Sequence, residues 1–259
     1  MLGKLFKKSS KATSRIPEDK EKSDNQIIGI WGSFGSGKTT LAIKLGQYLS
    51  EEADEKYNTI IVHDDILCPA IPTYVPNLKK QENKSLGKVL LGNIEQDKVK
   101  ENLVTIEENN HIALLGYAKG ENYLTYPEYV EEIVEDLLMQ LRHLADYIII
   151  DCSSYIKNNI FTNTVLKKGD KIITLSTADL KGLSYFNSTL PLLIDEKYDI
   201  KNHLNVVSNI KPFQAKETIN DILGGKEIYL EYTDEIENQT TEKRLFDICE
   251  RQVVFYSFR

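Results

Sequence analysis

The sequence predicts an α/β fold with a mostly parallel central sheet flanked by helices on both faces. Short apolar runs recur along the chain, Ile27-Ile28-Gly29-Ile30-Trp31 being the first, and they alternate with segments of helical periodicity. Strands written as unbroken apolar runs are buried on both faces, the condition of a parallel sheet covered by helices. The first run also leads directly into Gly32-Ser33-Phe34-Gly35-Ser36-Gly37-Lys38-Thr39, a glycine-rich turn placed before a helix.

Taken in order, Ile27 to Trp31 forms the first strand, and Thr40 to Ser50 follows with helical spacing through Leu41, Leu45 and Leu49. Thr59-Ile60-Ile61-Val62-His63 is a second strand, after which a stretch with Pro69, Pro72 and Pro76 crosses the surface toward a short helix from Ser85 to Leu91. Strands are expected at Val104 to Ile106 and Ile112 to Leu115. Tyr126 to Leu144 reads as one long amphipathic helix carrying Val130, Ile133, Leu137, Leu138, Leu141 and Leu144. It leads into the strand Tyr147-Ile148-Ile149-Ile150-Asp151. Further strands are expected at Lys171 to Leu175, Leu204 to Val207 and Glu227 to Leu230, with helices between them and a last helix from Asp234 to about Cys249.

At 259 residues and 41% hydrophobic content the chain can bury one large core, so a single domain is expected over 26–259 behind a flexible basic leader, 1–25. The formal net charge is −7, and residues 1–15 carry five basic residues and no acid, which leaves 27 basic against 39 acidic residues, a net −12, for the rest. So acidic a body argues against a general DNA platform, because duplex affinity comes largely from neutralising phosphates. There is no apolar run of spanning length and no secretory signal, so a cytoplasmic protein is expected. Cys68, Cys152 and Cys249 lack metal-ligand spacing and are assigned no chemistry.

Gly, four residues, Gly, Lys, Thr is a phosphate-binding pattern, and its place between strand and helix makes the fold a P-loop NTPase fold. The glycines let the backbone N–H groups around Gly35, Ser36, Gly37, Lys38, Thr39 and Thr40 converge on phosphate oxygens, and the helix adds its positive end. Lys38 is expected to neutralise the β- and γ-phosphates of ATP, and Thr39 to offer its hydroxyl to Mg²⁺. Further oxygen ligands are expected at the carboxyl ends of neighbouring strands. Asp151 stands there, placed to hold Mg²⁺ through a water, and Asp64 or Asp65 is placed to orient the attacking water.

With these residues the chain resembles the MinD/ParA-like P-loop ATPases, including the CpaE and TadZ proteins that position pilus and secretion machinery. The resemblance covers about residues 26–250. His63-Asp64-Asp65-Ile66-Leu67-Cys68-Pro69-Ala70 is similar to the family's segment Asp-x-Asp-Leu-x-x-Pro-Ser, which implies Asp65 as the hydrolysis-linked aspartate and puts His63 where the first aspartate stands. Leu141 to Asp151 resembles the Mg²⁺-side strand, with Ser153 and Ser154 opening the second switch. Val206-Val207-Ser208-Asn209 resembles the strand whose terminal asparagine reads adenine, which implies that role for Asn209.

One departure bears on turnover. The family writes its loop Lys-Gly-Gly-x-Gly-Lys-Thr, and its first lysine reaches across an ATP-sandwiched dimer. Ser33 stands at that position and Phe34 replaces the next glycine. Serine supplies no charge, and transition-state cations of this kind are worth orders of magnitude in phosphoryl transfer. The resemblance therefore implies an ATP- and Mg²⁺-dependent homodimeric switch with slow hydrolysis, acting on a pilus, secretion or conjugation apparatus. The alternatives are a ParA-like partition ATPase, which DNA binding would mark, and a nucleotide-binding scaffold without turnover. Met1 to Lys8 interleaves apolar and basic residues; a solvated leader is favoured over a weak contact with the inner face of the membrane. Val253 to Phe258 reads as an added edge strand or a partner-binding segment.

Overall fold

A computed structural model of the protein describes residues 25–52, 56–75, 81–107, 109–214, 216–225 and 228–247. The expectations placed on residues 1–24, on Cys249 and on 253–258 lie outside the described residues.

Along the chain the elements are β1 (Gln26–Gly32), α1 (Lys38–Gln47), β2 (Thr59–His63), α2 (Ile71–Tyr74), α3 (Leu86–Val89), α4 (Gln96–Asn102), β3 (Val104–Ile106), β4 (Asn109–Gly116), α5 (Glu131–Arg142), β5 (Tyr147–Asp151), α6 (Ile160–Lys168), β6 (Lys171–Thr177), α7 (Leu180–Thr189), β7 (Leu204–Ile210), α8 (Lys216–Ile222), β8 (Tyr229–Glu231) and α9 (Asp234–Thr241). One eight-stranded sheet has the order β3-β4-β2-β5-β1-β6-β7-β8. Every neighbouring pair is parallel except β3 and β4. In register, Asp151 of β5 stands opposite His63 of β2 and Ile30 of β1, so the carboxyl ends of the three central strands finish at one level.

Both faces of the sheet are buried, as the unbroken apolar runs require. Ile27 and Trp31 of β1 pack on one side with Val134, Leu137 and Leu141 of α5 and Phe161 of α6. Ile28 and Ile30 pack on the other with Leu41, Ala42 and Leu45 of α1. Lys44 of α1 is also buried, 4% exposed. Its ammonium donates to Gln239 Oε1 at 2.7 Å, Leu245 O at 2.8 Å and Asp247 O at 2.6 Å, so this helix is tied to the last described turn of the chain. Among the described residues no helix is long and apolar enough to cross a membrane.

The helices depart from the expected boundaries in three places. α1 begins at Lys38 rather than Thr40 and passes into a π turn over Tyr48–Glu52. The long helix expected from Tyr126 is only Glu131–Arg142, and Val130 is exposed rather than in the core. Tyr126 precedes Pro127, and a residue before proline is held out of the helical region; the Tyr126 hydroxyl is instead bonded to Glu121. α9 stops at Thr241 rather than near Cys249. Lys243 takes a left-handed backbone (φ 58°) and Arg244 N bonds Gln239 O at 2.8 Å, a closure that ends the helix. The sequence reading also missed α2 and α4.

Candidate functional site

The loop after β1 is pinned before it turns. A Cβ on Gly32 would lie 1.8 Å from Leu175 O of β6, so only glycine allows this approach. Ser33 N donates to Leu175 O at 3.0 Å, and its hydroxyl accepts from Thr177 N at 3.1 Å. Ser36 Oγ donates back to Ser33 O at 2.8 Å, and Ser208 Oγ of β7 donates to Ser36 O at 2.5 Å. Gly37, at φ 83°, is the N-cap of α1, and no side chain caps that helix. The first-turn N–H groups of an α-helix have no intrahelical acceptor, so here they and the positive helix end face outward from the sheet as an anion cradle.

Lys38 and Thr39, the first two residues of α1, meet groups from β5. Lys38 Nζ donates to Ser154 Oγ at 2.6 Å and to Ser33 O at 3.2 Å. Desolvation lowers the Lys38 pKa, against the opposing fields of Asp151 and Asp65, and a bound anion would add to those opposing fields. Thr39 Oγ1 donates to Asp151 Oδ2 at 2.6 Å, and His63 Nδ1 lies 3.0 Å from the same oxygen. The threonine hydroxyl and the carboxylate are hard oxygen donors side by side at the end of the loop. Among the described residues no group of three or more acidic, histidine or cysteine side chains could hold a metal. A magnesium ion suits this set, since it characteristically takes one or two protein oxygens and completes its shell with phosphates and water.

Asp64 and Asp65 part company after β2. Asp64 is buried; its backbone N–H bonds Asp151 O at 3.0 Å and its carboxyl accepts from Thr162 Oγ1 at 2.9 Å. Burial pushes its pKa up to about 8. Asp65 is half-buried and its Oδ1 accepts from Leu67 N at 3.0 Å and Cys68 N at 3.3 Å. Burial raises this carboxyl too, while the charge of Lys38 opposes the rise.

On the β6 to β8 side of the loop opens a cavity of about 370 Å³, walled by Gly37, Thr40, Asn209, Leu230, Tyr232 and Ile236 among others. Gly35, Ser36, Lys38 and Thr39 also border it, so all the loop residues expected to bind the cofactor share one cavity with Asn209. Asn209 sits in the left-handed region at φ 54°, a conformation asparagine tolerates better than most residues, which is a backbone reason for its presence at the end of β7. Asp65 and Asp151 lie on the opposite side of the loop from Asn209. His63 and Ser154 stand where the resemblance puts them but gain their contacts only here, while Ser208 and Tyr232 carry no expected role. The Ser-Ser pair two residues after Asp151 was the available signal for Ser154; nothing in the local sequence marks Tyr232.

A glycine loop pinned between strand and uncapped helix, with a half-buried lysine and a facing aspartate, defines a P-loop protein. The chain belongs to the AAA_31 family, whose model, described as an AAA domain, matches residues 26–206. Its fold is that of ParA- and MinD-type ATPases. A ParA family ATPase from Chlorobium tepidum TLS superposes with a TM-score of 0.72 at 14% identity, covering 92% of this chain and 96% of that one. A plasmid partition protein of Borrelia burgdorferi B31 bound to AMPPNP gives 0.67 at 18% identity, covering 89% and 95%. The MinD cell division protein of Aquifex aeolicus gives 0.61 at 20%, covering 85% and 87%. No curated protein sequence matches the chain.

Proposed function

We propose that this protein binds ATP with Mg²⁺ and works as a dimerising switch of the MinD/ParA type. The observation that carries the reading is the convergence of Lys38, Thr39 and Asp151 at an uncapped helix start, because it offers a half-buried ammonium, free N–H donors and two metal-seeking oxygens together. When bound, Mg²⁺ would supply charge neutralisation at the phosphates, held by Thr39 and Asp151. Lys38 binds the phosphates, Asp65 orients the attacking water, and Asn209 faces the base. AMPPNP, an ATP analogue, is bound in the Borrelia protein of the same fold, and the reading carries that chemistry across.

Ser33 limits turnover. It is 2% exposed and its hydroxyl is spent on Thr177 N, so it presents neither charge nor reach to a second subunit. Hydrolysis is therefore slow, and nucleotide binding sets the state of the switch, with two subunits closing over ATP and opening after release. The resemblance to CpaE and TadZ proteins supports a pilus, secretion or conjugation apparatus as the object of the switch. The fold shared with a plasmid partition protein supports partition as the second reading, against which the acidic body weighs.

Light-scattering mass measured without nucleotide, with ADP and with ATP and Mg²⁺ tests the switch. A dimer with ATP alone is expected, and a monomer under all three conditions overturns the reading. Phosphate release that Asp65→Ala abolishes identifies turnover; salt-sensitive, ATP-dependent binding to arbitrary duplex DNA would select partition.

A further inference from the structure

A second cavity, of about 480 Å³, opens at the other end of the same sheet edge, beyond β2. Tyr117, at the end of β4, forms its wall with Tyr123, Tyr126 and Tyr129 from the segment before α5. Asp64 lies in its floor and Glu128 on its rim. Ile66, Leu90, Leu91 and Ile160 add apolar surface. Among the described residues that line it there is no lysine, arginine or histidine.

Three of the four rings are held in place. The Tyr126 ring packs on the backbone of Gly87 so closely that a Cβ there would lie 2.1 Å from a ring carbon, and its hydroxyl is bonded to Glu121. Tyr117 is buried, 5% exposed, and Tyr129 is partly buried and packed against the core. Burial raises the pKa of both phenols, so they remain neutral aromatic surfaces. Asp64 is oriented by the Thr162 hydroxyl at 2.9 Å, and Thr162 N in turn donates to Asn159 Oδ1 at 2.8 Å.

Fixed aromatic faces carry negative potential, and the exposed carboxylate of Glu128, with no basic residue among the described lining, adds to it; such a setting attracts a cation rather than an anion. Apolar walls alongside favour a ligand whose charge sits on a hydrocarbon stem. We propose that this cavity is a binding site for an organic cation, a guanidinium or primary ammonium on an aliphatic stem, received by Tyr117, Tyr123, Tyr126 and Tyr129 with Glu128 at the entrance. Two sources offer that chemistry, a free alkylamine and an arginine or lysine side chain of another protein.

Isothermal titration of the full chain without nucleotide tests the proposal independently of the ATP reading. The probes are agmatine for a free cation, an acetylated and amidated Gly-Arg-Gly peptide for a side chain, and the same peptide with neutral citrulline for arginine. Binding of agmatine or the arginine peptide at a Kd of about 1 mM or tighter is expected, with the citrulline peptide about tenfold weaker or more. Agmatine alone selects a free amine, and the arginine peptide selects a protein partner. Tyr123 is 58% exposed and Glu128 is exposed, so Tyr123→Leu and Glu128→Gln leave the fold intact. Each should weaken binding about 3- to 10-fold, with Tyr123→Phe restoring it. No binding of either cation, equal binding of the citrulline peptide, or indifference to Tyr123→Leu and Glu128→Gln would overturn the assignment.

Discussion

Two cavities open along the carboxyl ends of one sheet, and they are built from opposite materials. The one beside β1 and β7 is made of backbone N–H groups, an ammonium and a helix end; the one beside β2 and β4 is made of phenol rings and carboxyls. A parallel sheet places loops at this edge whatever their chemistry, so the fold fixes the address and the side chains fix the sign of the ligand. Asp64 and Asp65 mark the divide: adjacent residues after β2, of which one turns into the tyrosine cavity and the other stays within the field of Lys38.

The largest effect should come from removing the ammonium. Lys38→Ala deletes the cation of the anion side, which a bound phosphate would bury, and should weaken binding of a fluorescent ATP analogue by about 2–5 kcal/mol, measured by equilibrium titration. Agmatine binding should be unchanged; parallel loss of both would show that the cavities are not separate. Asp64→Asn probes the divide itself. A carboxyl whose folded pKa is raised to about 8 from 3.8 contributes stability that is present at low pH and lost as pH rises through that interval, because the folded state holds the extra proton. Urea unfolding of the natural chain should therefore lose up to about 1.4 kcal/mol per pH unit from this group across that window, and the asparagine variant, which mimics the neutral acid, should lose that slope. A pH profile unaltered by the substitution would remove Asp64 from the account. The smallest change is expected at Asn209→Ala, about 1 kcal/mol in ATP affinity from one lost hydrogen-bonding amide, with smaller loss for inorganic triphosphate. Equal loss for both would locate its effect in the backbone turn rather than at the base.

The anion side was the more readable of the two for a physical reason. Its glycines, Lys38 and Thr39 act through backbone geometry within one turn, so eight consecutive residues specify it, and the strand ending at Asp151 announces itself by burial on both faces. Residues brought together by tertiary packing left no such mark. The partnership of Lys38 with Ser154 spans 116 positions and that of His63 with Asp151 spans 88. The tyrosine cavity draws on β2, β4, α3, the segment before α5 and the start of α6, and its aromatic residues read as scattered until the chain is folded. Helical periodicity misled at Tyr126 to Val130, where a proline and a tyrosine–glutamate bond outweighed apolar spacing that would have suited a helix.

The ammonium of Lys44 has a consequence for the order in which this protein is made. Its acceptors lie 195 to 203 residues further along, so during synthesis the phosphate-loop helix leaves the ribosome long before the chain that completes its surroundings. Contacts closed over such a separation form late, after most of the sheet between them. The site read most easily from the first fifth of the sequence is thus finished only by the last, and a nascent chain carries its nucleotide motif in an incompletely packed helix until residues 239–247 arrive.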